Sequence, residues 1–200
     1  MMTEAGRGLG GENKGVEGYS MRQRKGNSRR FVETALVRAS TLLKRNRFRQ
    51  AIHILLRART KNPKSALVYY NLGFAYEAIK QYRLAMDHYQ RALFLDPSLA
   101  DAAVSQGYIF GLKGDIKREI ARYDEVLLRD PRHLVALYNK AVVLDDKLDN
   151  QQGAIPLYLR VLRRQLTAKQ QSDVYLRLTY AYLGTRQYGR AIRTIRCLMR

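Results

Sequence analysis

Three of the four prolines, Pro63, Pro97 and Pro131, stand 34 residues apart. The same interval separates Ala51 from Ala85, Ala58 from Ala92, Gly73 from Gly107 and Tyr89 from Tyr123. A period of this length constrains the fold more than any other feature. Each repeat is one small unit that cannot bury its apolar face alone, so a core forms only by stacking neighbours. A chain of 200 residues has room for one short array of such units.

Each unit reads as two helices. Between residues 66 and 99, Tyr69, Leu72 and Tyr76 share a face at helical spacing, with Gly73 on the same side. Lys80-Gln81 interrupts the pattern as a short turn. A second amphipathic run follows with Ala85, Tyr89, Ala92 and Phe94. Pro97 closes it, because the residue before a proline is pushed out of the α region. Gly73, Ala85 and Ala92 are small where the two helices approach, and a large side chain there would have nowhere to go.

Tyr69, Leu72, Gly73, Tyr76, Ala85, Tyr89 and Pro97 fill the pattern W-x2-L-G-x2-Y…A-x3-F…P. The stretch thus resembles the tetratricopeptide repeat (TPR) family. The resemblance implies an all-α fold, a right-handed α-solenoid of about five helix–turn–helix units at residues 32–65, 66–99, 100–133, 134–168 and 172–200. Residues 1–31, Gly-rich and basic, are expected to be a disordered tail. The neighbouring units depart from the pattern in specific places. Arg38 replaces the usual Leu, and Glu119 occupies a slot that normally takes a small residue, which predicts a loosened helix pair. The fourth unit needs one extra residue within "DDKLDNQQG", and about three more fall within "LTAKQQ".

No catalytic constellation accompanies this framework. His53, His88 and His133 have no metal-like partner at a recurring spacing, and no phosphate loop, nucleophile elbow or paired-carboxylate motif is present. No enzyme activity, metal or cofactor is expected. Lone Cys197 excludes an intramolecular disulfide and fits a reducing, cytoplasmic setting. The Arg-rich, acid-poor stretch from Met21 also has features of organelle targeting.

In the family, first helices line a concave groove that holds a partner segment. In this register Tyr70, Asn71 and Phe74 point inward from one first helix, then Tyr108, then Tyr138 and Asn139, then Arg177 and Tyr180. Asn71 and Asn139 recur two periods apart, and an amide can both donate to and accept from an extended peptide backbone. The carboxylate-clamp subclass that binds chaperone C-termini requires a set of Lys, Asn and Arg that this chain matches only at Asn71. The resemblance therefore implies a non-enzymatic adaptor or scaffold that binds a segment of a partner protein and supports complex assembly.

Charge is distributed unevenly. Residues 1–61 carry 15 basic and 4 acidic residues, residues 62–159 carry 12 of each, and residues 160–200 carry 10 basic and 1 acidic. Basic ends favour an acidic protein segment, nucleic acid such as single-stranded RNA, or an anionic membrane. Arg47, Arg49, Arg186, Arg190, Arg193 and Arg200 form the expected anionic-partner patch, outside the groove on second helices. Ile192, Ile195 and Met199 lack a following helix within the sequence and form an expected exposed edge, where two copies could pair.

Overall fold

The computed structural model describes the backbone of residues 13–199 and the side chains of residues 27–199. Among the described residues ten α-helices follow one another, with no strand. They are α1 (Asn13–Lys44), α2 (Phe48–Lys61), α3 (Ala66–Ala78), α4 (Tyr82–Leu95), α5 (Ala100–Leu112), α6 (Ile116–Arg129), α7 (Leu134–Val142), α8 (Gln151–Leu162), α9 (Ala168–Gly184) and α10 (Tyr188–Leu198). Helix α1 begins at Asn13, so residues 13–31 of the expected tail are helical, while residues 1–12 lie outside the described residues. Elongating a helix already held by its packed C-terminal half needs no new nucleus.

The chain divides between Leu95 and Asp96 into two compact bodies. In the first, Ala35, Ala39, Ala51, Leu55, Val68 and Leu72 belong to one buried cluster drawn from α1, α2 and α3. In the second, Leu137, Ala141, Ala154, Tyr158, Leu178 and Ala191 belong to another, drawn from α7 to α10. Helix pairs α1–α2, α3–α4, α5–α6, α7–α8 and α9–α10 are each in contact, as the two-helix reading expects.

The turn between the helices of a pair is the same each time. Asn46, Lys80, Gly114, Asp149 and Arg186 all have positive φ, from 50° to 78°. The first three are 34 residues apart, the next interval is one residue longer and the last three residues longer. These are the two insertions expected from the sequence. Around each of four of these residues the same pair of bonds closes the first helix: Asn46 N–H to Leu43 O and Arg47 N–H to Leu42 O, then the equivalents at 80–81, 114–115 and 186–187. This is the left-handed C-terminal cap that satisfies the last carbonyls. In the fourth pair the extra residue is absorbed by a π-helical turn, Val143–Lys147, that continues α7. There Leu148 N–H reaches Val143 O and Asn150 N–H reaches Leu144 O.

Small residues sit where tyrosines arrive. A Cβ built on Gly73 would lie 2.6 Å from the Tyr89 ring, and one on Gly107 would lie 2.7 Å from Tyr123. Both rings are buried, and each hydroxyl donates to a carboxylate. Tyr89 uses Glu77 of α3 at 2.8 Å, and Tyr158 uses Asp145 of the π turn at 3.2 Å. Tyr123 instead uses Glu119, from its own helix, at 3.2 Å. Gly111 holds the place that Glu77 and Asp145 hold in their units, and its missing side chain leaves room for the Glu119 carboxyl. The expectation of a loosened α5–α6 pair is therefore corrected: the carboxylate has moved from first helix to second, and the glycine accommodates it. Phe94 is also corrected as a core residue. It is 74% exposed, under the guanidinium of Arg91 at 4.9 Å.

Candidate functional site

Within the first body, α3 presents Tyr70, Asn71 and Phe74 beside Ser40, Leu43 and Lys44 of α1, around a recess of about 240 Å³. Three sequence-predicted residues are thus brought together, joined by three from α1 that were not anticipated. Phe74 is exposed, and Tyr70 is half-buried with its ring 6.0 Å from that of Tyr89. Asn71 Nδ2 donates to Leu67 O one turn back at 2.7 Å. Its amide oxygen is the part of the group best placed to accept from a partner, since the local bond uses the donor.

Within the second body the predicted residues separate by role. Tyr108 and Tyr180 are exposed, 42% and 64%. Tyr138 donates to Asp173 Oδ2 at 2.5 Å and accepts from Arg177 Nε at 3.1 Å. Burial and the bond to Asp173 raise the Tyr138 pKa, with the Arg177 charge opposing them. Arg177 also pairs with Asp146 Oδ2 at 3.0 Å. Asn139 is half-buried and reaches the Tyr123 hydroxyl. An anion placed on Arg177 would compete with two carboxylates already there. This ring of contacts therefore works first as a clasp between α9, α7 and the π turn.

Tyr138 also borders an apolar pocket of about 370 Å³ between α7 and α9, with Val135, Leu166, Lys169, Asp173 and Val174 among its walls. The sequence reading did not name this pocket, although the three added residues before α9 signal the widened gap. Thr167 caps α9 there in a reciprocal capping box with Gln170, so the added loop ends in a defined helix start.

Arg47 and Arg49 are exposed around a shallow recess with Phe48 and Ile79. Arg186, Arg190 and Arg193 are exposed on or next to α10, and Arg200 lies outside the described residues. Among the described residues none of these arginines pairs with a carboxylate. Ile192, Ile195 and Met199 are exposed. Two of the three histidines have local contacts. His88 stacks on Tyr76 at 5.3 Å, and His133 Nδ1 caps α7 by accepting from Ala136 N–H at 3.3 Å. Among the described residues no group of His, Cys, Asp or Glu is arranged to hold a metal, and no helix is long and apolar enough to cross a membrane.

Paired helices with a small-residue seam, a repeated left-handed cap and a 34-residue period define an α-helical repeat protein. The tetratricopeptide repeat family model matches residues 66–99, one helix pair of the chain. Over 109 residues it is 32% identical to the uncharacterized protein ycf37 of Cyanophora paradoxa, spanning 52% of this chain and 63% of that one. Over 97 residues it is 31% identical to photosystem I assembly protein Ycf3 of Acaryochloris marina, spanning 47% of this chain and 58% of that one. The matches thus span about three-fifths of the length of these curated relatives. Among solved structures, PilF of Pseudomonas aeruginosa superposes with a TM-score of 0.76 at 18% identity, over 86% of this chain and 77% of that one. That likeness concerns the solenoid fold alone.

Proposed function

We propose that the chain is a non-enzymatic adaptor that holds a segment of a partner protein on the inner faces of its first helices and supports assembly of a larger complex. The observation that carries this reading is the gathering of Tyr70, Asn71 and Phe74 around one recess with three residues of α1. An exposed aromatic beside an amide and a cation offers apolar area, backbone pairing and charge in one place. The apolar pocket under Tyr138 offers the second body a comparable anchor. A relative named for photosystem I assembly supports an assembly role, and the match of residues 66–99 to the tetratricopeptide repeat supports the choice of a protein as partner.

The test is affinity capture from native extract with the whole chain as bait, with and without nuclease. Phe74→Asp and Val135→Asp serve as inner-face variants, both at exposed positions. The expected result is a protein retained after nuclease treatment and lost from both variants. Release by nuclease would overturn the reading in favour of single-stranded nucleic acid bound by the unpaired arginines of the basic ends. Retention by both variants would place the binding surface elsewhere.

A further inference from the structure

We propose that a pocket between the α6–α7 turn and the C-terminal end of α8 binds the clustered carboxylates of an acidic protein segment. Pro131, Arg132, Leu137, Arg160, Arg163 and Arg164 line it, around about 410 Å³. Four of the six are arginines, and none of the six is acidic or aromatic. The sequence reading placed its basic patches elsewhere, because Arg132 is remote in sequence from the other three arginines.

The charge here is uncompensated. In the same body Arg118, Arg122, Arg129 and Arg177 each find a carboxylate. Among the described residues Arg132, Arg160, Arg163 and Arg164 pair with none. Asp130, the closest acid in sequence, spends Oδ1 on the backbone N–H of Arg132. Arg163 caps the end of α8, whose dipole contributes roughly half a negative charge. Against four guanidinium groups that offset is small, and their mutual repulsion remains to be balanced by an external anion. Arg160 is held in place, since Nη2 donates to the carbonyl of Pro131. The other three guanidinium groups keep their forks for a ligand, and the fork matches a carboxylate bidentately.

The shape and composition select the occupant. A single strand of nucleic acid is held by stacking on aromatic rings, and this pocket has none. An anionic membrane is flat and is met by a spread of cations, whereas these converge on one concavity. A run of acidic side chains fits both the charge and the size. The proposal rests on the adaptor reading only in taking a protein as the occupant; it uses none of the inner-face residues.

A fluorescein-labelled hexaglutamate peptide, titrated into the whole chain by fluorescence polarisation at low salt, tests it. Arg132→Ala/Arg163→Ala/Arg164→Ala should weaken binding by about tenfold or more, the scale of losing charge-assisted hydrogen bonds. Arg45→Ala/Lys61→Ala/Lys64→Ala removes the same charge at exposed positions outside the pocket and should change it by less than about twofold. The pocket arginines chosen are exposed, and thermal melts check that folding is retained. Single charge reversal, Arg164→Glu, should reproduce the loss if the triple variant melts early. The proposal is overturned by an unbound wild type or by equal weakening in both triples. It is also overturned if oligo(dT) binds more tightly and depends on the pocket arginines. Failure here with normal capture through the inner faces leaves the adaptor reading standing.

Discussion

Lys147 in the π turn donates to the Glu119 carboxylate on α6 at 2.7 Å, and that carboxylate is almost wholly removed from water. The pair lies over Gly111, where a Cβ would come within 2.3 Å of the Glu119 carboxyl. The neighbouring unit solves the same problem in the reverse sense, with Glu77 on the first helix and Ala85 on the second. The two arrangements should be exchangeable. Glu119→Ala should cost about 1–3 kcal/mol, because it leaves the buried Tyr123 hydroxyl short of its acceptor. Gly111→Glu alone should cost about 1–3 kcal/mol or more by overpacking. The double variant should recover most of both losses, with a coupling of about 1–3 kcal/mol in denaturant titrations. Additive losses would show that the carboxylate cannot be moved between helices.

Two glycines should respond oppositely to alanine. Gly73→Ala gains up to about 1 kcal/mol of helix propensity. It also drives a methyl against a Tyr89 ring that is fully buried and tied to Glu77, so it cannot shift aside. A net loss of about 1–2 kcal/mol is expected. Gly189 lies in α10 with nothing near its added Cβ, so Gly189→Ala should stabilise by about 0.5–1 kcal/mol. Thermal melts of the two variants should move in opposite directions.

Left-handed turns offer a third measurement. Lys80 and Arg186 have φ of 61° and 59° at exposed positions where the equivalent residue of another unit is Gly114. A Cβ in this region is disfavoured, so Lys80→Gly and Arg186→Gly should each stabilise by about 0.5–1 kcal/mol. Gly114→Lys should do the reverse. A rise in melting temperature for the reverse change would mean that the turn is held by side-chain contacts instead.

Burial raises the pKa of Glu77 above the ordinary carboxylate range, while the hydrogen bond from Tyr89 acts in the other sense. A raised pKa means that the folded state holds the proton more tightly than the unfolded state. Stability from this group therefore falls as pH rises from the unfolded value through the folded one. Glu77→Gln removes the titration and keeps an acceptor for Tyr89. The melting temperature of the variant relative to wild type should become more favourable between about pH 4 and pH 7. A flat or opposite difference would show that the Tyr89 bond outweighs desolvation.

Periodicity carried the helices, the turns and both insertions, because Pro63, Pro97 and Pro131 and the small-residue slots report backbone geometry directly. Lys80-Gln81 was legible as a turn for the same reason. The partners of buried tyrosines were not legible. A carboxylate that reaches Tyr123 from four residues back on the same helix leaves no mark in a pattern that counts residue types per slot. The recess around Phe74 was half visible, since α3 was in register but the contribution of α1 depends on how the two helices meet. The arginine pocket was hidden because it joins a turn to a helix end about 30 residues later.

The contacts that seal each helix pair close short stretches of chain. Gly73 meets Tyr89, and Gly107 meets Tyr123, each across a single turn. Little chain entropy is spent in bringing such neighbours together, so a topology of this kind forms quickly. A nascent chain emerging from a ribosome could therefore complete its first helix pairs before the later ones are synthesised. The recess between the early helices, lined by Tyr70, Asn71 and Phe74, would then be complete without waiting for the C-terminal end.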